Sequence, residues 1–135
     1  MRHSILIVED DLDQLELLAR WFSRAGYHVT AVHHPRQALA AATLRPFQFA
    51  IVDHALPRID GIELTLRLRA LLPDLHVVIA FDEIPAVPWV EAGGAQTFVI
   101  KPFTKALLDA MVEDVLEYSE EKTEFCVKRW VPALN

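Results

Sequence analysis

The chain is predicted to be an α/β protein, a doubly wound five-stranded parallel sheet with helices on both faces. Three observations predict this. Short apolar runs alternate with stretches of helical periodicity along most of the sequence, the pattern of βα units in series joined by right-handed crossovers. Several runs are continuously apolar and β-branched, as strands buried on both faces must be. Three runs also deliver a charge where they end: Ile5-Leu-Ile-Val before Glu9-Asp10, Phe49-Ala-Ile-Val before Asp53, and Phe98-Val-Ile before Lys101.

Taken in order, Ile5 to Val8 reads as the first strand. Leu12, Leu15, Leu18, Trp21 and Phe22 then recur at helical spacing, with Asp11 as the expected cap and Gly26 as the stop. Tyr27 to Val32 alternates well enough to be strand two. Pro35 can start the second helix, with Ala38, Leu39, Ala42 and Leu44 on its inner face, and Pro46 ends it. Phe47 to Val52 is strand three. From Ile62 to Leu72 the apolar positions partly alternate, so the helix expected there rests on length, Arg/Leu content and place in the order.

His76 to Ala80 is strand four and Gln96 to Ile100 strand five. Between them stand Pro85 and Pro88. A proline inside a helix costs about 3 kcal/mol, so only a short helix is expected, from about Pro88 to Ala92, after an irregular loop. Thr104 should cap a last helix carrying Leu107, Leu108, Met111, Val112, Val115 and Leu116. Residues 1–118 form the expected domain. The tail, 119–135, reads equally as a helix extension, a linker stub or a docking segment.

At 135 residues with 53% apolar and 24% charged side chains, the chain is a globular domain of ordinary size. Its net charge of −6 argues against non-specific nucleic-acid binding, which needs a basic surface. One cysteine, Cys126, cannot form an internal disulfide, and the first apolar run is too short for a signal peptide or membrane span. A cytoplasmic protein with no membrane contact is expected. None of His3, His28, His33, His34 and His76 falls at metal-ligand spacing. No glycine-rich loop follows the first strand: Glu9-Asp10-Asp11-Leu12 stands where a nucleotide binder would cradle phosphate.

Ligands of open α/β sheets bind at the carboxyl ends of the strands. Carboxylates gathered there around one ammonium suit a hard divalent cation together with a phosphoryl group. Glu9, Asp10, Asp53 and Lys101 are therefore the candidate site.

In this order, Glu9-Asp10, Asp53 with Pro57 and Gly61 downstream, and Lys101-Pro102-Phe103 resemble the receiver domain of two-component response regulators, over the chain up to about Tyr118. The resemblance implies a flavodoxin-like, CheY-like fold with strand order 2-1-3-4-5. It implies Asp53 as phosphoacceptor and Mg²⁺ held by Asp10, Asp53, Glu9 and the backbone carbonyl of Ala55. It also implies Lys101 pairing with Asp53 and then with a phosphoryl oxygen, and Pro102 as a cis-proline that aims this lysine. The donor would be a phosphohistidine on a histidine kinase or phosphotransfer protein. Output would pass through the face of the fourth helix, fifth strand and fifth helix to a downstream protein or a further domain, with pairing to a second copy through the same elements. No separate substrate is turned over, so the chain is expected not to be an enzyme beyond its own phosphotransfer and dephosphorylation.

One departure stands out. Receivers usually end strand four with Ser or Thr; here the position falls on Phe81, or on Ala80 if shifted by one, and neither donates a hydrogen bond. Asp82 adjoins it, and a carboxylate there repels phosphate unless it faces solvent. Phe98 matches the aromatic switch position of strand five. Phosphorylation with altered or weak coupling to shape is one expectation. A pseudo-receiver, an interaction module independent of phosphate, is the alternative.

Overall fold

In the computed structural model, residues 3–84, 97–111, 113 and 128–130 are described. Strands β1 (Ser4–Val8), β2 (His28–Val32), β3 (Phe49–Asp53), β4 (His76–Phe81) and β5 (Thr97–Ile100) form a parallel sheet in the order 2-1-3-4-5, as expected. A further strand, β6 (Lys128–Trp130), pairs in parallel with β5 and extends the sheet beyond it. Part of the tail that the sequence left open is thus sheet.

The pleat sorts alternate residues into two cores. Leu6, Val8, Ala50, Val52, Val77, Ile79, Phe81, Phe98 and Ile100 face one layer, where α2 (Pro35–Leu44) contributes Ala38 and Ala42 and α3 (Gly61–Leu71) contributes Ile62, Leu64 and Leu68. Ile5, Ile7, Phe49, Ile51, Val78, Ala80 and Val99 face the other. There α1 (Leu12–Arg24) inserts Leu15, Leu18 and Phe22, and the last helix, described over residues 105–111, inserts Leu107, Leu108 and Met111. Burying each such aliphatic or aromatic side chain is worth about 1.5–3 kcal/mol, which is why the strands read as unbroken apolar runs.

The start and stop signals act as read. The Asp11 carboxylate accepts from the Asp13 and Gln14 N–H groups, Gly26 takes a φ of +97°, Pro35 opens α2, and the Thr104 hydroxyl accepts from the Leu107 N–H at 3.1 Å. Some expectations need correction. Leu12 and Leu44, placed on inner faces, are exposed, because each stands at the very end of its helix and off the buried stripe. β3 begins at Phe49 rather than Phe47, and β4 extends to Phe81. The short helix expected from Pro88 to Ala92 lies outside the described residues, as do Val112, Val115, Leu116 and Cys126. Among the described residues, no helix is long and apolar enough to cross a membrane.

Candidate functional site

Parallel strands end on the same edge of a sheet, and the register then decides which ends meet. Val8 lies opposite Val52, so the following residues, Glu9 and Asp53, leave adjacent strands side by side. Asp53 itself pairs with Ala80, and the Lys101 N–H donates to the Phe81 carbonyl at 2.9 Å, which carries Lys101 to the same edge. The Lys101–Pro102 peptide is cis, as the resemblance implied.

The four predicted side chains come together. Carboxylate oxygens of Glu9, Asp10 and Asp53 all lie within 4.8 Å of one another. The Lys101 ammonium lies 3.0 Å from Glu9 Oε2 and 3.0 Å from Asp53 Oδ1. Glu9 and Asp53 are buried while Asp10 is exposed, so the cluster has one open side toward solvent. Ala55, exposed in the turn after Asp53, donates its N–H to Asp53 Oδ1 at 3.4 Å.

Three carboxylates against one ammonium leave an excess of negative charge, and the titration of the site reflects it. Burial, then the hydrogen bond with Asp53 and its charge, push the Glu9 carboxyl up from 4.5 to about 7, with Lys101 opposing. Burial and the same Asp53 neighbour also raise Asp10. At Lys101 burial works against the charge, but hydrogen bonds to Glu9 and Asp53 outweigh it and hold the ammonium above its usual range. A cation placed among these oxygens would relieve that repulsion, and an all-oxygen, carboxylate donor set is the chemistry that Mg²⁺ or Ca²⁺ takes. The residues present therefore fit a hard divalent ion.

Gly61 explains a spacing that sequence alone only noted. Its N–H donates to the His54 carbonyl at 2.9 Å, and a Cβ there would stand 2.6 Å from the Asp53 carbonyl oxygen and 2.9 Å from the His54 Cα. Only glycine lets α3 approach the loop behind Asp53 this closely.

At the end of β4 the hydroxyl position is filled by a ring. Phe81 is buried, its ring centroid 4.6 Å from that of His54 and 5.8 Å from that of Phe98, the latter pair edge to face at 90°. Phe98 is itself fully buried. Local sequence pattern does not reveal this row of rings. The signal lay in the register: with Asp53 opposite Ala80, the next residues along the two strands, His54 and Phe81, are neighbours. Asp82 and Glu83 are exposed, so neither carboxylate is buried beside the acceptor.

Residues 5–113 match the response regulator receiver domain family. The chain belongs to that family. As a receiver it is 33% identical over 101 residues to the response regulator receiver protein CpdR of Brucella abortus, covering 73% of this chain and 84% of that protein. It is 31% identical to the alkaline phosphatase synthesis transcriptional regulatory protein PhoP of Bacillus subtilis, covering 89% of this chain but only 51% of PhoP. Among solved structures, a CheY-like receiver domain protein from Methanospirillum hungatei superposes with a TM-score of 0.82 at 25% identity, over 90% of this chain and 99% of that one.

Proposed function

We propose that this receiver takes a phosphoryl group onto Asp53 from a phosphohistidine of a histidine kinase or phosphotransfer protein. The observation that carries the proposal is the crowding of three carboxylates around the one ammonium of Lys101, 3.0 Å from both Glu9 and Asp53. A carboxylate attacks a phosphoryl group only when the negative charge of both is screened. Glu9, Asp10 and Asp53, with the Ala55 carbonyl, would hold Mg²⁺, which when bound supplies that screening. An Asp53 oxygen forms the new O–P bond, the N–P bond of the phosphohistidine breaks, and the imidazole leaves with its electron pair. Lys101, a compact charge on a flexible stem, keeps its partner as that partner changes from carboxylate to aspartyl phosphate. Such a protein works in the cytoplasm, turns over no separate substrate, and passes its state to a downstream protein or a further domain.

A second reading is favoured by Phe81. With no hydroxyl at the end of β4 and with Phe98 already buried against the Phe81 ring, phosphate at Asp53 has no direct pull on the output face. Both readings are tested in one sample treated with acetyl phosphate and Mg²⁺. Intact-mass analysis should find one added phosphoryl group on wild type and none on Asp53→Asn; retention in the variant would move the acceptor elsewhere. Amide shifts confined to the surroundings of Asp53 would mark weak coupling, and shifts reaching Phe98 a working switch.

A further inference from the structure

The two ends of the sheet are finished differently. At one end stands β2, with His28 and Ala31 exposed and Val29, Thr30 and Val32 half-buried, a strand already partly given to water. Toward the other end β5 reads Thr97-Phe98-Val99-Ile100, without a charge, a glycine or a proline. Phe98, Val99 and Ile100 are all buried, Phe98 and Ile100 in one core and Val99 in the other, so both faces of the strand are in use. Left outermost, an apolar, β-favouring strand of this kind presents a row of free N–H and C=O groups on which another chain can add a strand.

In this chain β5 is not outermost. On the side away from β4, Thr97, Phe98 and Val99 pair with Lys128, Arg129 and Trp130. β6 lies beyond residues 5–113, the part that matches the receiver family, so the covering strand is an addition to the receiver. It is the shortest of the described strands, and two of its three residues are basic. Short strands and lysine are the means by which sheets resist edge-to-edge pairing. β6 thus replaces an apolar edge that favours pairing with a short basic one that opposes it.

We propose that β6 is a removable guard over a docking surface, the outer edge of β5, and that the partner this surface fits is the same edge of a second copy of the chain. Identical strands related by a two-fold axis meet antiparallel and exchange backbone hydrogen bonds, so two sheets would continue as one through their β5 strands. Such pairing buries no charge of β5, which has none. While β6 is docked, this route to a dimer is closed. The inference concerns the pairing of copies and does not depend on phosphoryl transfer to Asp53.

The test breaks the guard through its backbone in the full chain. Amides along a strand point alternately to either side, so one of Arg129→Pro and Trp130→Pro removes an N–H that faces β5. In that variant the β5 amides facing β6 should exchange with solvent at least tenfold faster than in wild type at low concentration. Sedimentation should show a dimer forming as concentration rises, with protection of those amides returning in the dimer. Arg129→Ala keeps the backbone ladder and should stay monomeric, as the wild type does. Amides of Ile5–Val8 and Phe49–Val52 report on the rest of the sheet and should be unchanged. If they lose protection together with β5, β6 is an integral part of the fold and the guard is overturned. Unchanged exchange at β5 in both proline variants would overturn it as well. Fast exchange without a dimer would overturn the second copy as partner, and so would a wild type that dimerises through β5 as readily as the variants.

Discussion

Replacing Lys101 by methionine is expected to destabilise the metal-free protein by about 3–5 kcal/mol at pH 8, the range for breaking a buried ion pair from one side. The lysine is nearly enclosed and holds two carboxylates that are themselves buried, each at 3.0 Å. Without it, Glu9 and Asp53 face each other with no counter-charge. The loss should shrink at pH 5, where Glu9 takes up a proton and removes one of the two charges. Urea unfolding of wild type and Lys101→Met at both pH values measures this directly. Added Mg²⁺ should recover part of the loss at pH 8, and phosphoryl uptake should stay impaired, because the partner for the transferred group is gone.

The second large effect concerns pH. The folded Glu9 carboxyl is raised from 4.5 to about 7, by burial first and by Asp53 second. A carboxyl that binds its proton more tightly when folded favours the fold while protonated. The contribution is complete below the unfolded value of 4.5 and is lost as pH rises through about 7. Asp10, raised by the same causes, acts in the same direction. Metal-free protein should therefore lose stability between pH 4.5 and 7, by up to about 3 kcal/mol at 1.36 kcal/mol per unit. Glu9→Gln should flatten that limb, since glutamine keeps the shape and never ionises. Equal slopes in the two proteins would show that Glu9 does not carry the effect.

Much of this was legible because parallel strands write their burial into sequence. Ile5 to Val8 and Phe49 to Val52 are apolar on both faces, and a charge at the end of such a run has few places to go except the sheet edge. The gathering of Glu9, Asp10, Asp53 and Lys101 at one edge followed from that geometry. Other features were hidden for identifiable reasons. In α3, Ile62, Leu64, Leu66 and Leu68 alternate like a strand, yet Leu66 points to solvent while Ile62, Thr65 and Leu68 form the buried stripe. A threonine on that stripe, its hydroxyl bonded to the Gly61 carbonyl at 2.7 Å, masks the helical period. β6 is three residues long and paired along one described edge, too little for any periodicity to signal. The His54–Phe81–Phe98 row depends on register between strands distant in sequence, which is not a property of local pattern.

The central claim, that the three carboxylates form a divalent-cation site and are not merely an acidic rim, is tested most directly by thermal unfolding at pH 7.5 with and without Mg²⁺. Ion at ten times its dissociation constant should stabilise the wild type by about 1.4 kcal/mol, and Asp10→Asn should lose most of that gain while keeping its fold. A wild-type Tm that does not respond to millimolar Mg²⁺, or an equal rise in Asp10→Asn, would contradict it.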